Sequence, residues 1–148
     1  MRNVKKIICA LDLSPHSTTV AEYAVAVAKA FDAQIVVMYA APALTQYVGF
    51  QVPPSSIENF VGEIVSGAEK AMQDFVAAHF QGIKAVGKVV NGYASEEILG
   101  MAIAEDADLI IMGTHGRKGI DRLLFGSVAE KIVKTSPIPV MTIRPSNT

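Results

Sequence analysis

Short apolar runs alternate along this chain with stretches in which apolar residues recur every three or four positions. Four runs are rich in β-branched residues: 6–11 (KIICAL), 34–40 (QIVVMYA), 108–112 (DLIIM) and 138–143 (IPVMTI). A weaker fifth run spans 85–90 (AVGKVV). The first and fourth are nearly continuous in apolar residues, as strands covered on both faces of a parallel sheet are. Between the runs the period lengthens. After Ser14-Pro15, the residues Val20, Ala21, Ala24, Val25, Val27 and Ala28 mark one helix face ending near Phe31. Ser14 is expected to cap this helix, with Pro15 in its first turn, where a missing N–H costs nothing. The longest pattern follows Pro53-Pro54, with Ile57, Phe60, Val61, Ile64, Val65, Ala68, Met72, Phe75 and Val76 forming a stripe. Ser95 is expected to cap a third helix, with Glu96 and Glu97 favoured in its first turn by the dipole and Ile98, Met101 and Ala102 on its buried face. A fourth runs from about Ser127 to Lys134, between Gly126 and Ser136-Pro137.

Strand and helix therefore alternate from end to end. Such alternation implies right-handed crossovers and an open parallel sheet with helices on both faces, an α/β fold. One domain, 1–148, accommodates the whole pattern. One connection, 41–54 (APALTQYVGFQVPP), exceeds the usual two to six residues and carries Tyr47, Val48 and Phe50, which need the domain, a ligand or a partner to cover them.

Composition narrows the function classes. Thirteen Lys and Arg oppose 14 Asp and Glu, for a net charge of −1, which argues against a protein built to grip nucleic acid or an anionic membrane. No apolar run approaches the roughly 18 residues that span a bilayer, and the N-terminus lacks the long apolar region of a signal peptide. The cytoplasm is the expected compartment. A single cysteine, Cys9, excludes an intramolecular disulfide and reads as a buried small hydrophobe. Apolar residues make up 51% and charged residues only 18%, a balance that favours association between copies.

Candidate chemistry gathers where strands end, because ligands of open parallel sheets bind beyond the carboxyl ends. The first strand runs out at Asp12. The fourth leads into GTHGRKGIDRLLFGSVAEK, with Gly113, Gly116, Gly119 and Gly126, and then Ser127 at a helix start. Two readings fit the residues alone. Glycines can simply shape a turn, with Ser127 capping the helix. Alternatively, glycines let backbone N–H groups approach an anion, and the helix N-terminus adds further donors and a positive dipole end. In that second reading Arg117, Lys118 and Arg122 bring positive charge, and Asp12 meets ribose hydroxyls or a metal bridged to phosphate. His16, His79 and His115 lack metal-ligand spacing. His115 lies inside the loop, where it shapes the turn or hydrogen-bonds a phosphate. Neither a Walker A motif nor a dinucleotide fingerprint is present.

The spacing Gly113-x2-Gly116-x9-Gly126-Ser127, with ALDLS at 10–14 and SPIPVMTIRP at 136–145, resembles the universal stress protein family along essentially the whole chain. The resemblance implies a five-stranded sheet in order 3-2-1-4-5, an adenine nucleotide alpha hydrolase-like fold, and the family's ATP-binding branch. By the same resemblance, Asp12 contacts the ribose and Ala40 offers main-chain hydrogen bonds to the adenine. Gly113, Gly116, Arg117, Gly126, Ser127 and Val128 line the phosphates, and Mg2+ or Mn2+ accompanies the ATP. The resemblance also implies a homodimer. The edge it would use is the last strand, Ile138, Val140, Met141 and Ile143, whose apolar edge invites pairing.

The expected function is an ATP-dependent switch or scaffold in stress response, acting on a protein partner yet to be identified. Two alternatives stand beside it. One is a slow ATPase or phosphotransferase, for which Asp12, His115 and Arg117 are the available groups, although spacing places none of them as a base. The other is an interaction module that holds AMP or a cyclic nucleotide, or has an empty cradle, since main-chain donors read charge and shape rather than phosphate number.

Overall fold

The computed structural model describes residues 3–41, 54–114 and 126–144, with the side chains of 54–61 and 64 excepted. The element order is β1 (Lys6–Ala10), α1 (Ser17–Phe31), β2 (Gln34–Ala41), α2 (Pro54–His79), β3 (Ala85–Asn91), α3 (Ala94–Ala104), β4 (Leu109–Gly113), α4 (Ser127–Thr135) and β5 (Val140–Ile143). All five strands are parallel and lie in the order β3-β2-β1-β4-β5. Fold class and strand order thus agree with expectation.

Alternation along each strand splits the core into two layers. Ile7, Cys9, Leu11, Ile35, Val37, Leu109 and Ile111 face α1 and α2, where they meet Val20, Ala21, Ala24 and Met72. Ile8, Ala10, Val36, Met38, Ile110 and Met112 face α3 and α4, where they meet Ile98, Ala102, Ala129 and Ile132. The central strand β1 is buried on both sides, which is why its sequence shows no polar alternation. Buried alanines at 21, 24 and 28 let α1 lie close on the sheet.

Several boundaries differ from expectation for local reasons. Helix α1 begins at Ser17, not beside Ser14, because Asp12 and Ser14 spend their side chains on the preceding turn. Asp12 Oδ1 accepts the Ser14 N–H at 2.9 Å, and Ser14 Oγ accepts the His16 N–H at 3.2 Å. Ser95 does not cap α3. Tyr93 holds that position without a side-chain hydrogen bond, and Ser95 lies inside the first turn. Strand β5 starts at Val140 rather than 138, because the Ser136 hydroxyl ties Ile138 into a turn, donating to its carbonyl at 2.6 Å and accepting its N–H at 3.0 Å. Ile143 turns its side chain inward and is buried in the core, whereas Met141 on the same edge strand is 37% accessible. Tyr47, Val48 and Phe50 lie outside the described residues.

Candidate functional site

Register places the candidate residues around the end of β1. Ala10 pairs with Met38 on one side and Met112 on the other, and these are the last pairs of both ladders. Ala40 lies two residues past Met38, Asp12 two past Ala10, and Gly113 one past Met112. The three therefore ring the crevice where β1 leaves the sheet. It is also the point where strand order reverses, since one crossover leads from β1 to β2 and another carries the chain from β3 across to β4.

Hydrogen-bond alternation aims the backbone there. Gln34 donates to Lys5 and the Met38 carbonyl accepts from Leu11, whereas Ile35 donates to Lys84 and the Ala41 carbonyl accepts from Gly92. Even-numbered residues of β2 thus face β1, and Ala40 points its N–H and C=O into the space β1 has vacated. On β4, Ile110 and Thr114 both donate toward β5, so Gly113 between them turns its main chain back toward β1.

The turn after β1 is tightly specified. Asp12 Oδ1 accepts the Ser14 N–H at 2.9 Å and the Ser17 hydroxyl at 3.2 Å. Leu13, between them, adopts φ 58°, a left-handed conformation that non-glycine residues rarely take. Ser17 is 1% exposed. Neither Leu13 nor Ser17 was a sequence candidate. The spacing Asp12, Ser14, Ser17 was visible, but hydrophobic periodicity carries no information about a left-handed residue or a hydroxyl reaching backward.

Helix α4 supplies the other wall. Gly126 is its N-cap, with φ −73° and ψ 166°, extended backbone that any residue can adopt. Among the described residues the positive-φ glycines are Gly82 and Gly92. What glycine contributes at 113 and 126 is therefore the absent side chain rather than an unusual backbone. The Gly126 N–H donates to the Thr114 carbonyl at 2.5 Å, which fastens the start of α4 to the end of β4. That bond occupies the Gly126 N–H, so the donors α4 can offer an anion come from Ser127 and Val128 onward. Ser127 is exposed, while Val128 packs partly against the core and sets the helix on the sheet. Gly116 and Arg117, with His115, Lys118, Gly119 and Arg122, lie outside the described residues. The site thus assembles six of the eight sequence candidates: Asp12, Ala40, Gly113, Gly126, Ser127 and Val128.

No helix among the described residues is long and apolar enough to cross a membrane. The chain matches the model of the universal stress protein family over residues 3–144. A universal stress protein of Methanocaldococcus jannaschii, MJ0531, is 32% identical over 142 residues, covering 95% of this chain and 82% of the relative. One from Thermus aquaticus is 33% identical over 141 residues, covering 95% and 98%. Among solved structures, M. jannaschii MJ0577 superposes with TM-score 0.86 at 23% identity, covering 99% of this chain and all of that one (100%). A universal stress protein in complex with cAMP gives TM-score 0.73 at 18% identity, covering 98% and 100%. One from Archaeoglobus fulgidus in complex with dAMP gives 0.64 at 18%, covering 97% and 99%.

Proposed function

The chain belongs to the universal stress protein family, and from that membership we propose that it binds an adenine nucleotide, ATP foremost, in the crevice at the end of β1. The observation that carries this reading is convergence. Main-chain groups of Ala40 and Gly113, the carboxylate of Asp12 and the N-terminus of α4 all meet at the switch point of the sheet. Adenine would sit against the Ala40 backbone and the ribose against Asp12. The phosphates would sit at Ser127 and Val128, where the dipole and the free first-turn donors of a helix favour negative charge. Gly113 and Gly126, without side chains, leave the polyphosphate room, and Gly116 and Arg117 would complete the cradle. Solved relatives of this fold hold cAMP and dAMP, which supports an adenine nucleoside, with or without the 2′-hydroxyl, and a variable phosphate arm.

Mg2+ or Mn2+ would arrive on the phosphates. The functional unit is a single-domain cytoplasmic homodimer joined through β5. It acts as a nucleotide-dependent switch or scaffold by favouring one conformation that a protein partner reads.

Thermal melting of nucleotide-stripped protein tests this. With ATP a hundredfold above Kd, linkage gives about 2.7 kcal/mol, or roughly 5–10 °C for a chain of this length. Gly126→Val should lose that shift. Its own unliganded stability should fall by only about 1 kcal/mol, the cost of a poorer N-cap, since the extended backbone admits valine. Absence of any shift with ATP, AMP or cAMP overturns the reading.

A further inference from the structure

We propose that Ser17 is a positioning residue for ribose recognition. Its hydroxyl holds the Asp12 carboxylate in the one orientation that discriminates a sugar bearing hydroxyls from one that lacks them. The inference rests on the adenine-nucleotide reading of the crevice and adds to it a residue that need not touch the ligand.

A lone aspartate on a turn rotates about its terminal torsion, which is broad and roughly two-fold. Here two donors converge on the same oxygen. The Ser14 N–H reaches Asp12 Oδ1 at 2.9 Å and the Ser17 hydroxyl reaches it at 3.2 Å. They come from different sources. One is the backbone of the turn, and the other is the first residue of α1. Together they fix the plane of the carboxylate and with it the direction of Oδ2, which is shielded from solvent. Ser17 is 1% exposed, so water does not compete for its hydroxyl, and Leu13 at φ 58° bends the chain back so that this reach is possible. The cap position of α1 is His16, which carries no side-chain hydrogen bond, so the Ser17 hydroxyl is not a cap. An exposed serine would serve α1 equally well. A buried one aimed backward at the carboxylate serves Asp12.

The test compares Kd for ATP and for 2′,3′-dideoxy-ATP in wild type, Ser17→Ala and Ser17→Thr. Wild type should prefer ATP by about tenfold, the worth of one hydrogen bond to a charged group. Ser17→Ala should bring the ratio to within about twofold, chiefly by weakening ATP, and Ser17→Thr, which keeps the hydroxyl, should restore it. A role confined to helix stability would lower the melting temperature of Ser17→Ala and leave the ratio untouched, and that result overturns the proposal. Should Ser17→Ala fail to fold, Ser17→Cys carries the same comparison, because a thiol fills the space but donates weakly. If wild type binds neither nucleotide, the parent reading fails. If it binds both equally, Asp12 does not read the sugar and the proposal fails while the site stands.

Discussion

Cys9 sits in the middle of β1, fully buried, and burial pushes its thiol up to about 12. The thiolate is the nucleophile, so at neutral pH Cys9 should resist a thiol reagent in the folded protein and react completely once denaturant unfolds it. Rapid labelling of the native protein would contradict the packing described here. Cys9 was legible from sequence because burial in an apolar run is all its role requires. Asp12 was singled out by its place at the end of the first strand and by the resemblance, but Ser17 was not. Its role depends on a hydrogen bond running backward through a left-handed leucine, and no pattern of apolar positions encodes that. Ser14 and Ser95 show the converse failure. A serine ahead of a helical stripe reads as a cap, yet one is spent on a turn and the other lies inside the helix.

Helix α2 rests on β3 at Gly87, where an added Cβ would lie 2.6 Å from Met72 Cγ and 3.1 Å from Val76 Cγ2. Met72 is itself buried and has little room to yield. Gly87→Val should therefore cost about 1–3 kcal/mol, read as a lower urea midpoint, as overpacking does. The same glycine explains why β3 was the faintest strand in the sequence. It interrupts the apolar run, and an edge strand needs only one covered face. At the opposite edge, Pro139 and Ile143 turn their carbonyls to β4, so Val140 and Thr142 direct their main chain outward. Thr142→Pro deletes an outward donor and leaves the ladder to β4 in place. Sedimentation should show the proposed dimer dissociating while circular dichroism stays unchanged. An undisturbed dimer would move the interface off β5.

Across the molecule, Glu105, the C-cap of α3, joins β1 to β3, bonded to Lys88 Nζ at 2.7 Å and to Lys6 Nζ at 3.3 Å. Those two bonds hold its carboxyl below the usual glutamate range. A carboxyl depressed in the folded state contributes stability above its unfolded pKa of about 4.3, and that contribution is lost as pH falls through the folded value. Glu105→Gln should accordingly melt below wild type at neutral pH, with the gap closing in strong acid. A gap constant with pH would assign the effect to packing. The parallel sheet with helices on both faces was legible because alternation and handedness act on the whole chain at once, whereas the strand order came from the family resemblance. The bond from Gly126 to Thr114 has a consequence for engineering. It brings positions 114 and 126 together in space, so a connection between them has only a short gap to close. Loop-closure cost rises only about 0.6 kcal/mol per doubling of length. A designer can therefore lengthen the connection between those two positions at little expense to the core.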